Sequence, residues 1–203
     1  MFRRVPVAVV VIVSAIVAAG AAAYAASLAI AADPVPIDAT RSQLTISVSK
    51  SGFFSAFADN HTVRAPIASG SLSTTPPLSV ALTVRARDLE VLDPDLAADK
   101  RREVQTRMLG REVLDVDTYP EIAFRSTTVE PGGADRWKVE GELALHGQTR
   151  KVSFEAALAR GAYRGSARIR QRDFGITPIS IAGGTVKVKD ELLVEFAIVA
   201  RGS

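Results

Sequence analysis

The chain has 203 residues, enough for one domain with a useful core and too few for two kinase lobes. Apolar residues make up 47% and charged residues 23%, a globular composition, and the net charge is only +3. Setting Arg3 and Arg4 aside leaves 23 basic against 22 acidic residues, which argues against a nucleic-acid partner, and the lack of cysteine excludes disulfides, thiolate metal sites and thiol nucleophiles.

Arg3 and Arg4 precede an apolar run over residues 5–32, interrupted by Pro6, Ser14, Gly20, Tyr24 and Ser27. This is the pattern of an export signal. Small-residue sites such as Ala23-Tyr24-Ala25 fit cleavage, yet the run is also long enough to span a bilayer. Residues 1–33 are therefore expected to be a signal peptide or, alternatively, an N-terminal membrane anchor that tethers the chain through residues 5–32. Either way the domain at 34–203 is expected outside the cytoplasm, in the periplasm or the extracellular space.

Beyond the stiff Pro34–Pro36 spacer, the dominant apolar period is two. Leu44, Ile46 and Val48 alternate with polar residues, and so do Val80, Leu82 and Val84. Between these runs lies "SGFFSAFADNH", where Phe53, Phe54 and Phe57 are more aromatic than a connector requires; they would plug one end of a core or line the mouth of a pocket. Asn60-His61-Thr62 fits a glycosylation sequon. One segment breaks the alternation. "DPDLAADKRREVQTRMLG" offers Asp93 as N-cap, Pro94 at the first helical position, Leu96, Val104 and Met108 at helical spacing, and Gly110 as a stop, which predicts an exposed helix of about four turns.

Tyr119-Pro120 predicts a rigid turn into a strand over Ile122–Thr127. Alternation then returns with Trp137, Val139, Leu143 and Leu145 opposite Lys138, Glu140, Glu142 and His146, and again with Val152, Phe154, Ala156 and Leu158. In "YRGSARIRQR" the apolar side is Tyr163, Gly165, Ala167 and Ile169, and Arg164, Arg168, Arg170 and Arg172 form the other; without interleaved aromatics this row reads as a solvated strand face. The last run sets Val186, Val188, Leu192, Val194, Phe196 and Ile198 against Lys187, Lys189, Glu191 and Glu195. Pro76-Pro77, Pro131-Gly132-Gly133, His146-Gly147-Gln148 and Gly183-Gly184 mark turns between runs.

Asp173-Phe174-Gly175 matches the kinase D-F-G, but a glycine-rich loop, a strand lysine and an H-R-D-type loop are missing. The tripeptide is expected to end the Arg-rich strand at Asp173, pack Phe174 inward and turn at Gly175. His61 and His146 have no second ligand at zinc spacing, and no G-x-S-x-G activates a serine. No catalytic residue, metal site or cofactor is expected; an enzyme would need His61, His146 and a carboxylate to converge.

About eight one-sided strands with one inserted helix predict an all-β fold, an antiparallel sheet closed into a barrel or folded into a sandwich. Taken in order, "IDATRSQLTISVSK", the aromatic segment ending at His61, "GSLS", "MLGREVLDVDTYPEIAFRST", "VEGELALHGQTRKVSFEA", "RDFGI" and "VKVKDELLVEFAI" resemble the YceI-like family. These are lipocalin-like proteins often described as polyisoprenoid-binding. The resemblance covers about Val35 to Ala200 and implies an eight-stranded antiparallel barrel with one inserted α-helix and an apolar cavity.

The expected function is then non-enzymatic binding of an isoprenoid-like or other fatty amphiphile. Leu82, Val84, Phe124, Trp137, Leu143, Phe154 and Phe196 would line the cavity, with His61, Phe53, Phe54 and Phe57 at its mouth to meet a polar head. The alternative is a filled barrel acting in envelope stress or protein interaction, with no cavity and an exposed apolar patch. The sequence is compatible with a monomer and with a homodimer.

Overall fold

The computed structural model describes residues 33–51, 61–181 and 186–202. Phe53, Phe54, Phe57, the Asn60 sequon position, the leader and the Gly183-Gly184 turn lie outside the described residues. Twelve strands form one antiparallel sheet: β1 (Val35–Pro36), β2 (Gln43–Ser51), β3 (His61–Arg64), β4 (Ile67–Ser73), β5 (Ser79–Arg85), β6 (Glu90–Val91), β7 (Glu121–Gly133), β8 (Arg136–Leu145), β9 (Gln148–Ala159), β10 (Ala162–Arg170), β11 (Ser180–Ile181) and β12 (Val186–Ile198). Their order is β1-β4-β5-β7-β8-β9-β10-β12-β2-β3-β6, with β11 paired to β12. Eight of these strands have seven residues or more, matching the expected eight. The four extra strands, β1, β3, β6 and β11, have four residues or fewer, too few to display an alternation.

The sheet curls back on itself, so that its β1 edge meets the end of β12. Ile37, just after β1, bridges Ala200, and its amide donates to the Gly70 carbonyl at 2.9 Å. The Asp38 amide donates to Val199 and the Arg201 amide to Pro36, each at 2.8 Å. The short first strand therefore sits between β4 and the end of β12. Ile37, Ile67, Leu72, Ile198 and Ala200 are buried around this seam, so apolar packing holds what hydrogen bonds alone would close weakly.

β12 keeps its inward face through an irregularity between Val188 and Leu192, which explains why apolar alternation skips Asp190. β7 extends to Gly133, well past Thr127, because Pro131 is accommodated where the β7–β8 register shifts; the turn falls at residues 134–135 instead. Leu158 is 37% exposed, near the end of β9 and next to the turn into β10, and so departs from its expected inward face. The strand β10 ends at Arg170, so Arg172 belongs to a short 3-10 turn over Gln171–Phe174. Within that turn Phe174 is 2% exposed, and Gly175 has φ of 74°. Asp173-Phe174-Gly175 is thus a buried aromatic followed by a left-handed turn residue, a conformation that favours glycine.

The helix α1 spans Ala98–Leu109, one turn shorter than expected at its start, and ends at Gly110 as the sequence suggests. Asp93 does not cap it, because that carboxylate is engaged elsewhere. Nor is α1 merely a solvated helix: Val104, Met108 and Leu109 pack against the cluster of Val63, Val84, Val91, Leu114 and Phe174. Gln105 attaches it to the edge of the sheet, accepting from the Val91 amide at 2.8 Å and donating to the Leu89 carbonyl at 2.7 Å.

Candidate functional site

Alternation within each strand sends one set of side chains into the curled sheet. They do not fill it. A cavity of about 600 Å³ runs through the interior, with an overwhelmingly apolar wall. Leu44, Ile46 and Val48 of β2, Leu82 and Val84 of β5, Phe124 of β7, Trp137, Val139, Leu143 and Leu145 of β8, Val152, Phe154 and Ala156 of β9, and Leu192, Val194, Phe196 and Ile198 of β12 all line it. Leu82, Val84, Phe124, Trp137, Leu143, Phe154, Phe196 and His61, singled out from the sequence, therefore share one surface.

The aromatic side chains of the wall form a row of three rings and a separate pair. Phe124 and Phe154 have ring centroids 5.4 Å apart, Phe154 and Phe196 5.1 Å, and Trp137 and Tyr163 5.3 Å in an edge arrangement. These separations and tilts suit aromatic quadrupoles, so the rings brace one another and keep the wall rigid without needing to meet in the middle. Two glycines make the arrangement possible: a side chain at Gly141 would strike the ring of Phe124, and one at Gly165 the ring of Phe196.

One side of the cavity is contributed by α1 and the segment before it, through Leu96, Val104 and Met108 together with the charged Lys100, Glu103 and Arg107. Lys100 donates to Glu103 at 3.1 Å, and this carboxylate raises the lysine's pKa above its ordinary value. Arg107 is paired with Glu112 at 3.0 Å. The sequence suggested the Leu96, Val104 and Met108 stripe but assigned it to an exposed helix, since a lid over a cavity and a helix on a core have the same periodicity.

His61 is a polar residue of the largely apolar barrel wall. Its Nδ1 lies 2.5 Å from Oδ2 of Asp93, and the two side chains are only 13% and 7% exposed. The other oxygen of Asp93 accepts the Thr62 amide at 2.8 Å. No local pattern could have revealed this pair, because its members are 32 residues apart and come together through the β3–β6 pairing of Val63 with Val91.

His146 goes to a different place. It occupies the β8–β9 turn with φ of 50°, stacks on Tyr119 with centroids 4.5 Å apart, and has Nδ1 3.1 Å from the Phe174 carbonyl. It is not the strand-exterior residue expected, and the two histidines have separate partners. Among the described residues no group of three metal-ligating side chains converges. Arg164, Arg168, Arg170 and Arg172 are exposed, and Arg168 donates to Glu191 across the β10–β12 pair at 2.7 Å.

The family model described as a YceI-like domain matches residues 36–200. A UPF0312 protein of Vibrio cholerae is 28% identical over 127 residues, covering 58% of this chain and 61% of that relative. The chain thus aligns with less than two thirds of that relative's length. A UPF0312 protein of Pseudomonas putida is 35% identical over 75 residues, 32% of this chain and 39% of the relative. Among solved structures, BcnA of Burkholderia cenocepacia superposes with a TM-score of 0.64 at 17% identity, covering 81% of this chain and 99% of that one; at this identity the likeness shows the fold.

Proposed function

The chain belongs to the YceI-like family, and from that premise we propose that it is an exported, non-enzymatic binding protein that holds one isoprenoid-like or other fatty chain inside its barrel. The supporting observation is the cavity of about 600 Å³ with an apolar wall, which a filled barrel would lack. Burying ten methylenes contributes on the order of 8 kcal/mol before the costs of association, so useful affinity requires no catalytic group.

Leu82, Val84, Phe124, Trp137, Leu143, Phe154 and Phe196 contact the chain in this reading, and His61 meets its polar end. Export is inferred from Arg3, Arg4 and the apolar run that follows. Titrating the delipidated protein with a fluorescent fatty probe tests the proposal: one saturable site per chain, competed by isoprenoid alcohols, is expected. Unsaturable or absent uptake would count against it.

A further inference from the structure

Burying a carboxylate and an imidazole in an apolar wall is a poor way to stabilise a fold, because desolvation offsets most of the attraction. The His61–Asp93 pair therefore calls for another explanation. Asp93 is held from several directions: Oδ2 by His61, Oδ1 by the Thr62 amide, and its carbonyl by the Leu96 amide at 3.3 Å and Arg101 Nη1 at 3.1 Å. An ionised carboxylate only accepts hydrogen bonds, so the proton between the two side chains belongs to Nδ1 of His61. In the neutral ring the lone pair then sits on Nε2.

Nε2 makes no hydrogen bond to another described residue, and no buried side-chain nitrogen or oxygen among them is left without a partner, so this atom is accessible. Three other polar residues of the cavity lining are engaged: Gln171 donates to the Lys189 carbonyl at 2.8 Å, and Lys100 and Arg107 have carboxylate partners. With the ring neutral, Nε2 is an acceptor without a partner among the described residues, on a side chain that lines the cavity.

We infer that the His61–Asp93 pair is the head-group site of the cavity, and that it selects a long apolar chain ending in a hydroxyl, whose O–H donates to His61 Nε2. This rests on the reading that the cavity holds a fatty chain. An ether or hydrocarbon end offers no proton to Nε2. A phosphate or carboxylate end would bring a second negative charge toward the Asp93 carboxylate in a poorly solvated wall, which disfavours it. His61 is the contact residue, and Asp93 is a positioning residue that sets the tautomer.

The test uses three competitors of one chain length, hexadecanol, hexadecyl methyl ether and hexadecane, each displacing a fluorescent fatty probe from the delipidated protein. Hexadecanol is expected to compete about tenfold better than the ether, the value of one buried hydrogen bond gained against an acceptor left unpaired. In His61→Phe the preference for alcohol over ether should vanish, each affinity being read relative to hexadecane in the same variant. In Asp93→Asn the amide can itself donate to Nδ1, so the preference should fall and the ¹⁵N signature of the ring should move toward a protonated Nε2. With only two histidines in the sequence, those resonances are readily assigned. Equal competition by alcohol and ether in the unmodified protein, or a preference that survives His61→Phe, would overturn the inference. Failure of all three to displace the probe would overturn the cavity reading itself. Should His61→Phe not fold, the competition ratio and the tautomer in the unmodified protein still decide.

Discussion

Gly165 lies directly across the β10–β12 pair from Phe196, and a Cβ built on it would come within 2.6 Å of the phenyl ring and 2.2 Å of the Glu155 carbonyl. The missing side chain lets the ring lie flat over the strand, where it also meets Phe154. Gly165→Ala should therefore destabilise the domain by about 1–3 kcal/mol through overpacking, since one of the two clashing atoms is backbone and cannot rotate away. Chemical denaturation measures this as a lower midpoint with an unchanged slope.

Ala167, two residues further along β10, lines the cavity wall. Ala167→Phe should occupy part of the empty volume. The expected outcome is a fatty-probe affinity lower by on the order of tenfold, about 1.4 kcal/mol, with little change in the denaturation midpoint. Loss of stability without loss of affinity would mean the site is packed and the chain is held elsewhere.

Gln105 joins α1 to the edge of the sheet through two hydrogen bonds, one accepted from Val91 and one donated to Leu89. Gln105→Ala leaves both backbone groups without that partner, at a local cost of about 1–3 kcal/mol. Hydrogen exchange should speed up in α1 and β6 while β8 and β9, remote in the sheet order, stay protected. Uniformly faster exchange would show that α1 does not open on its own.

Much of the barrel was legible because a strand with one wet face writes its orientation into every second residue. Val188, Leu192, Val194, Phe196 and Ile198 line the cavity as their alternation with Lys189, Glu191 and Glu195 implied. What remained hidden depended on contacts between distant segments. Asp93 has the form of a helix cap, and only the pairing of β3 with β6 brings it to His61. His146 looked like one more exterior residue of an alternating strand, whereas the turn at Gly147, whose Cβ would strike Tyr119, carries it onto an aromatic partner. Empty space is also invisible to periodicity, since a filled and a hollow barrel need the same inward faces.

Asp38 follows the seam strand and accepts from the Thr40 hydroxyl at 2.7 Å, the Thr40 amide at 3.0 Å and the Arg41 amide at 3.3 Å. The Thr40 hydroxyl is the largest cause holding its pKa below the usual 3.8; desolvation, next in size, opposes it, and the Thr40 and Arg41 amides and the Arg41 charge add to the lowering. A carboxyl depressed in the folded state contributes stability above its unfolded pKa and loses it as pH falls through the lower folded value. Acid titration followed by ¹³C shifts should place Asp38 below an unfolded reference. Asp38→Asn should remove that part of the stability change in the same acid window.

A fatty chain held in the barrel interior is the central feature of the proposed function. Native mass spectrometry of the protein purified without delipidation, followed by organic extraction, addresses this directly. One apolar molecule per chain, released by extraction and taken up again from a lipid extract, is the predicted result. A mass equal to the polypeptide alone, unchanged after incubation with that extract, would contradict it.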